Sequence, residues 1–320
     1  MKGNLLIIGN AVVNETVLNK LKENFDLLSL KSLQNAEILK QFTNLFGIWI
    51  HLDTHLPDEY LIHVKKAKFL ITTTTGTSHI GREIQNYFGK NLITLQNDRK
   101  FLRNISSTAE LTWQLVMDSF NDLSYNFDSV QRGEWNRIDN SRDSQLKSKS
   151  LGIIGYGRLG AKIARIGRAF DMRVYIYEKS LKKKIRALSH GYSLINDINN
   201  LFSLCNLVTI HANYKSGSSP IINARQIALI KKPFVLINTS RAGLVDEDSI
   251  VQQIIQNQNF QYYTDVLGFE DNGRNLRDSK LWQLSQSCKR VRITPHIGGA
   301  SKEAILLCEE RLAERLKFLI

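Results

Sequence analysis

Leu151 to Phe170 reads LGIIGYGRLGAKIARIGRAF. It opens as a short apolar run and closes as a stretch with apolar residues at helical spacing. Between the two, Gly155, Gly157 and Gly160 fall as G-x-G-x-x-G. Glycine triplets alone mean little, because turns use glycine freely, so the surroundings decide. Here a strand leads in, a helix leads out, a second strand follows as RVYIY (173–177), and Glu178 stands at its end. That is the βαβ setting in which such a turn binds a dinucleotide. Gly155 allows the tight turn, Gly157 lets the backbone approach phosphate, and Gly160 permits close helix–strand packing. The helix N-terminus offers N–H groups and a positive dipole end. Glu178 would accept hydrogen bonds from ribose hydroxyls and repel an extra phosphate, which favours NAD over NADP. Lys179 and Lys182–Lys184 work in the opposite direction.

On both sides of this turn, apolar runs alternate with amphipathic stretches. NLLIIG (4–9), DLLSL (26–30), FGIWIHL (46–52), KFLITTT (68–74) and NLITL (91–95) read as strands, with helices between them. A second block from Leu151 to about Thr294 contains LGIIG, RVYIY, LVTIH, FVLIN, YYTDV and RVRIT. This order predicts an α/β chain of two Rossmann- or flavodoxin-like parallel-sheet domains, with an active-site cleft between them. The expected boundaries give 1–99 with 297–320 as a substrate domain and 100–296 as an NAD-binding domain. STAELTWQLVMDSFNDL (107–123) reads as one long helix, apolar on more than one face, and a polar stretch (132–150) leads into the glycine turn. A small domain would struggle to bury Leu111, Trp113, Leu115, Val116, Met117 and Phe120 together, so the helix predicts a homodimer.

The chain has 320 residues, 42% hydrophobic and 23% charged, an ordinary balance for a globular protein. No apolar run is long enough to span a bilayer, and no membrane role is expected. The net charge of +13 raises the possibility of a nucleic-acid partner. Its lysines and arginines are spread along the whole chain, however, and an anionic substrate and cofactor fit the charge equally well. Nucleic acid is not expected as a partner. Cys205, Cys288 and Cys308 are odd in number and far apart, with no C-x-x-C spacing. They suit a reducing cytoplasm and point to no metal.

Further motifs follow the turn in order: NTSRAGLVDEDSI (238–250), TDVLGFE (264–270) and TPHIGG (294–299). Upstream lie TTTGTSHI (73–80), AELTW (109–113) and RGEW (132–135). With these six in place, the chain resembles the D-isomer-specific 2-hydroxy-acid dehydrogenases over nearly its whole length. The resemblance implies interconversion of a small anionic 2-keto acid and the D-2-hydroxy acid by hydride transfer with NAD, by a homodimer. It implies Arg241, Glu270 and His296 as the catalytic residues. Their chemistry suits the task. A guanidinium can hold a carboxylate and polarise a ketone through paired N–H donors. A histidine can deliver a proton to a developing alkoxide. A carboxylate beside that histidine orients it and favours its charged form.

The resemblance also implies cofactor contacts from Arg158 and Leu159 in the turn, Ala212, Asn213 and Ser218 on the adenosine side, Thr239 and Ser240 under the nicotinamide, and Asp265 near its carboxamide. Thr75 and Gly76, with Arg241 and His296, are implied as substrate contacts. Departures from the family pattern are Ala242 and Gly81, Ser78, Asn213 and Asp271, none of which removes a group the reaction needs. Two other readings stand beside the dehydrogenase. One is a nucleotide-sensing binding protein of the same fold, resembling the family's corepressors. The other is a formate dehydrogenase, which Glu270 argues against because those enzymes carry glutamine there.

Overall fold

The computed structural model of the chain describes residues 2–12, 14–33, 36–138, 145–215, 217–271 and 275–319. Positions 139–144 of the polar stretch lie outside the described residues. The chain forms two compact units, Met1–Ile105 with Ala300–Ile320, and Ser106–Gly299.

The first unit carries parallel strands β1 (Gly3–Ile8), β2 (Phe25–Leu30), β3 (Leu45–Ile50), β4 (Phe69–Thr72) and β5 (Leu92–Ile93), in the order β2-β1-β3-β4-β5. Successive side chains on a strand point to opposite faces, and where both faces are covered the strand is largely apolar, as in β3 and β4, while the edge strand β2 exposes Asp26 and Ser29. Leu5, Ile7, Trp49 and Ile71 pack in a core with Leu312 and Leu316 of the closing helix Lys302–Lys317. Leu6, Ile8, Ile48, Ile50 and Leu70 pack in another with Val64 and Ile84. The closing helix is tied in by Glu310 to Lys20 and by Arg311 to Asp98.

The second unit carries seven parallel strands: β6 (Ser150–Ile154), β7 (Arg173–Tyr177), β8 (Ser193–Leu194), β9 (Leu207–Ile210), β10 (Phe234–Asn238), β11 (Phe260–Thr264) and β12 (Val291–Ile293). Their order is β12-β11-β10-β9-β6-β7-β8. Six of them match the runs read from sequence. The two-residue β8 is too short to leave a periodic signal.

Three expectations need correction. The unit boundaries fall later than 99/100 and 296/297. Leu102 and Ile105 are buried in the first unit's core, while the N–H groups of Ile297 and Gly298 bond to Asp265 in the second. The helix expected over 107–123 ends at Phe120, where Asn121 is extended, and a new helix, Leu123–Gln131, begins with Asp122 accepting from the Tyr125 N–H. The second unit also buries Leu111, Trp113, Leu115 and Val116 in its own core, so these side chains call for no partner subunit. Met117 of the same helix stays exposed, and on the next helix the exposed Leu123, Phe127 and Val130 form an i, i+4, i+7 stripe.

Gly81, where the family commonly has aspartate, has a physical explanation. It precedes the helix Arg82–Phe88 and has no side chain to cap it. Asp58, at the start of the short 3-10 helix Asp58–Tyr60, supplies the missing carboxylate, accepting from the N–H groups of Glu83 (2.7 Å) and Ile84 (3.4 Å). A Cβ at position 81 would lie 2.1 Å from the same oxygen, so a side chain there and the Asp58 cap exclude one another. Asp58→Ala is expected to cost about 1 kcal/mol through loss of this cap. Gly81→Ala should destabilise as well, by displacing Asp58. Urea denaturation of the three proteins checks both, and an unchanged midpoint in Asp58→Ala counts against the cap.

Candidate active site

In open parallel sheets, ligands bind beyond the carboxyl ends of the strands, near the point where the strand order reverses. In the second unit that point lies between β6 and β9, and most of the predicted residues of this unit follow strands along this edge.

Gly155 follows β6 with φ +96, a conformation that side chains disfavour. A Cβ there would sit 2.6 Å from the His211 carbonyl oxygen. A Cβ on Gly160 would lie 2.0 Å from the Gly155 carbonyl oxygen, so helix and strand meet only because that residue is glycine. Gly157 differs from both. Nothing lies within 4 Å of a Cβ built there, and it heads the helix Arg158–Ala169 without a side-chain cap. Arg158 and Leu159 form the first turn of that helix. Open space beside an uncapped helix N-terminus fits a pyrophosphate.

Glu178, at the end of β7, is buried and fastens the turn. Its Oε2 accepts from the Tyr156 N–H at 2.8 Å, its Oε1 accepts from the Ser180 N–H at 2.9 Å, and Lys183 Nζ stands 3.6 Å away. Burial works against its charge, but the N–H groups of Ser180 and Tyr156 and the Lys183 ammonium outweigh it. Its pKa lies below the usual 4.5.

Ala212 and Asn213 follow β9, and the Ala212 carbonyl accepts from Ser240 Oγ at 2.9 Å. Thr239, Ser240 and Arg241 follow β10. Asn238 shapes this segment, its side chain bonding to the Ser240 N–H and the Arg241 carbonyl, both at 3.0 Å. Thr239 pairs with Thr112 of the long helix through their hydroxyls, 2.8 Å apart and buried. Arg241 Nη1 donates to the Ser240 carbonyl at 2.7 Å. Ser218 stands apart in an exposed loop, where its hydroxyl turns back to the Lys215 carbonyl. Thr75 and Gly76 belong to the first unit, in the loop after β4.

Strands β10, β11 and β12 are adjacent, with Asn238 level with Thr264 and Thr264 level with Ile293. Arg241, Asp265 and His296 therefore leave the sheet at the same edge. His296 Nδ1 bonds to Glu270 Oε2, and Glu270 Oε1 accepts from the Leu267 N–H at 2.6 Å. A carboxylate only accepts, so Nδ1 carries a proton and Nε2 is left for chemistry. Both side chains are about three-quarters buried.

Residues 113–298, more than half of the chain, match the NAD-binding domain of the D-isomer specific 2-hydroxyacid dehydrogenases. The chain belongs to this family. It is 26% identical over 305 residues to the D-3-phosphoglycerate dehydrogenase of Methanocaldococcus jannaschii, covering 95% of this chain and 55% of that one. It is 29% identical over 217 residues to the glyoxylate reductase of Aeropyrum pernix, covering 66% and 62%. The chain thus spans somewhat more than half the length of these curated relatives. A solved D-lactate dehydrogenase from Aquifex aeolicus, complexed with NAD and lactic acid, shares the fold with a TM-score of 0.78, 23% identity, and coverage of 98% and 94%.

One departure from the 2-hydroxyacid dehydrogenase pattern becomes clear in this part of the structure. Ala242 adopts no left-handed backbone, so the usual glycine is not needed there. Gly243, beside it, is packed against the Tyr214 ring, which lies 2.4 Å from where a Cβ would be. Asp265, implied as a carboxamide neighbour, has a second role. It is buried, and it accepts from Thr294 Oγ1 (2.6 Å), the Ile297 N–H (2.8 Å) and the Gly298 N–H (2.7 Å). Burial raises its pKa despite these three donors. They hold the turn in which His296 sits at φ +51. Sequence reasoning missed Asn238, Thr112 and Tyr214, whose roles depend on partners far along the chain. It also missed His211, whose ring nitrogens are shielded from solvent. Burial pushes its imidazole down to about 3, so it is neutral. No group of three or more metal-ligating side chains occurs among the described residues.

Since Glu178 ionises more readily in the folded chain than unfolded, it adds stability above about pH 4.5, and the contribution is lost as pH falls through its folded pKa. Glu178→Gln is therefore expected to be less stable than the parent near neutrality, with the difference shrinking in acid. Thermal midpoints across pH check this, and a difference independent of pH would contradict it.

Proposed function

We propose that this protein interconverts a small 2-keto acid and the corresponding D-2-hydroxy acid. The observation that carries the reading is the Glu270–His296 pair, on the same sheet edge as Arg241 and the glycine turn. Gly155, Gly157, Arg158, Leu159 and Gly160 would hold the pyrophosphate of NAD, Glu178 its ribose, Ala212, Asn213 and Ser218 its adenosine side, and Thr239, Ser240 and Asp265 its nicotinamide. The bound nicotinamide supplies or accepts the hydride. Arg241 holds the substrate carboxylate and polarises the ketone. His296 Nε2 gives its proton to the alkoxide oxygen in reduction and takes it back in oxidation. Glu270 keeps the imidazole oriented and balances its charge.

His296→Ala is expected to lower the rate by about 10²- to 10⁴-fold. Glu270→Gln should retain NADH binding but lose turnover, because the imidazolium loses its counter-charge. Steady-state reduction of a panel of 2-keto acids, with NADH binding followed by fluorescence, measures both. NADH binding without turnover of any acid by the parent would favour the binding-protein reading.

Glu178 supports a preference for NAD(H), and lower catalytic efficiency with NADPH is the expected result. Equal efficiency would mean that Lys183 and its neighbours outweigh the carboxylate. We place the protein in the cytoplasm, on the strength of its three free cysteines. No helix among the described residues is long and apolar enough to cross a membrane.

We also propose a homodimer, supported now by the exposed stripe Leu123, Phe127 and Val130 and by the exposed Trp135 and Ile138. Sedimentation is expected to give twice the chain mass at micromolar concentration. Phe127→Glu should convert the dimer to monomer, and a parent that sediments as a monomer ends the proposal.

A further inference from the structure

The helix Leu181–Ser189, which follows β7 in the second unit, carries its apolar stripe on the outside. Leu181, Ile185 and Leu188 recur at i, i+4 and i+7, the spacing that puts side chains on one face of a helix. All three are exposed, at 72%, 59% and 56%. The opposite face meets the unit through Ala187, which is buried, and through polar ties. Lys183 reaches Glu178, and Arg186 Nη2 donates to the Tyr156 carbonyl at 2.6 Å. The Tyr156 hydroxyl lies 2.8 Å from Nδ1 of His190, just past the helix end. Arg168, from the helix Arg158–Ala169, donates to the His190 carbonyl at 2.6 Å and lies over the Tyr192 ring. The stripe is thus held outward on a helix that is fastened near both ends.

Positive charge is concentrated around the same stripe. Residues 158–197 contain ten lysines and arginines against three acidic residues, and one of the three, Glu178, is buried. This eighth of the chain carries more than half of its net charge of +13. No acidic residue occurs from Lys179 to Asn196. At 3.6 residues per turn, Lys182 and Lys184 stand on the two shoulders of the stripe, and the exposed Lys179 precedes the helix.

We propose that this stripe and its lysines form a docking surface for a bilayer that carries anionic lipid headgroups. Leu181, Ile185 and Leu188 enter the boundary between headgroups and acyl chains, and the lysines meet the headgroup charges. Adhesion of this kind lies along the surface and needs no spanning segment. A second copy of the chain suits the stripe poorly, because it would set lysine against lysine. A folded protein partner needs about 800 Å² on each side for a stable contact, far more than three aliphatic side chains offer. A bilayer has no such threshold, and its charge complements the lysines. Binding is reversible and sensitive to salt, since three aliphatic side chains anchor weakly and the attraction of exposed lysines is screened.

Flotation of the full chain with vesicles tests this, using phosphatidylcholine with about 30% phosphatidylserine against phosphatidylcholine alone. The parent is expected to float with the anionic vesicles in about 0.1 M salt and to be released by about 0.5 M. Ile185→Ser/Leu188→Ser should lower partitioning at least about 10-fold, because most of the inserted apolar surface is gone. Its thermal midpoint and sedimentation should stay those of the parent, since both positions are exposed. A parent that does not float, or that binds both kinds of vesicle equally, overturns the proposal. So does a double variant that floats as the parent does, because the basic surface at large would then suffice. A double variant that sediments differently from the parent assigns the stripe to a protein contact and overturns the proposal as well.

Discussion

A buried carboxylate is tolerable only when its oxygens find donors, and Asp265 takes all three of its donors from one turn. That demand organises the reactive end of the second unit. Thr294, Ile297 and Gly298 converge on Asp265, and the chain between them is pulled tight enough to put His296 at φ +51. A side chain other than glycine in that conformation costs on the order of 1 kcal/mol and persists where its surroundings over-determine it. From this position the imidazole reaches Glu270, which is itself fixed by the Leu267 N–H. The pairing of His296 with Glu270 is thus a consequence of how Asp265 is satisfied.

The parallel sheet supplies the remaining order. Every strand of the second unit ends at the same edge, so residues that follow strands gather there whatever their distance along the chain. Asn238 shapes the segment carrying Arg241, Ser240 ties that segment to the loop after β9, and the His211 carbonyl crowds the glycine turn after β6. At Gly81, a departure from the family pattern, a neighbouring residue takes over the lost role, since Asp58 caps the helix that Gly81 cannot cap.

Much of this was legible in the residues themselves. The glycine turn, the strand before it, the helix after it and Glu178 at the end of the next strand are all local, and each relation is set within a few residues by φ, side-chain volume and hydrophobic period. The same holds for the apolar strands of both sheets and for the ordered motifs carrying Arg241, Glu270 and His296. The long helix misled for a related reason. Its apolar residues were visible, but periodicity says only that a face must be buried and not what buries it. The core around Leu111, Trp113 and Val116 belongs to the same unit.

The sequence alone therefore determined the class of fold, the dinucleotide turn and the motifs that carry Arg241, Glu270 and His296, because these are properties of short stretches. Tertiary structure decided what those side chains are attached to. Glu178 serves the glycine turn before it can serve a ribose, Thr112 meets Thr239 across 127 positions, and Asp265 binds a turn about thirty residues downstream. Such pairings depend on strand register and on which polar groups are left in need of partners after burial. Both quantities exist only once the sheet has formed.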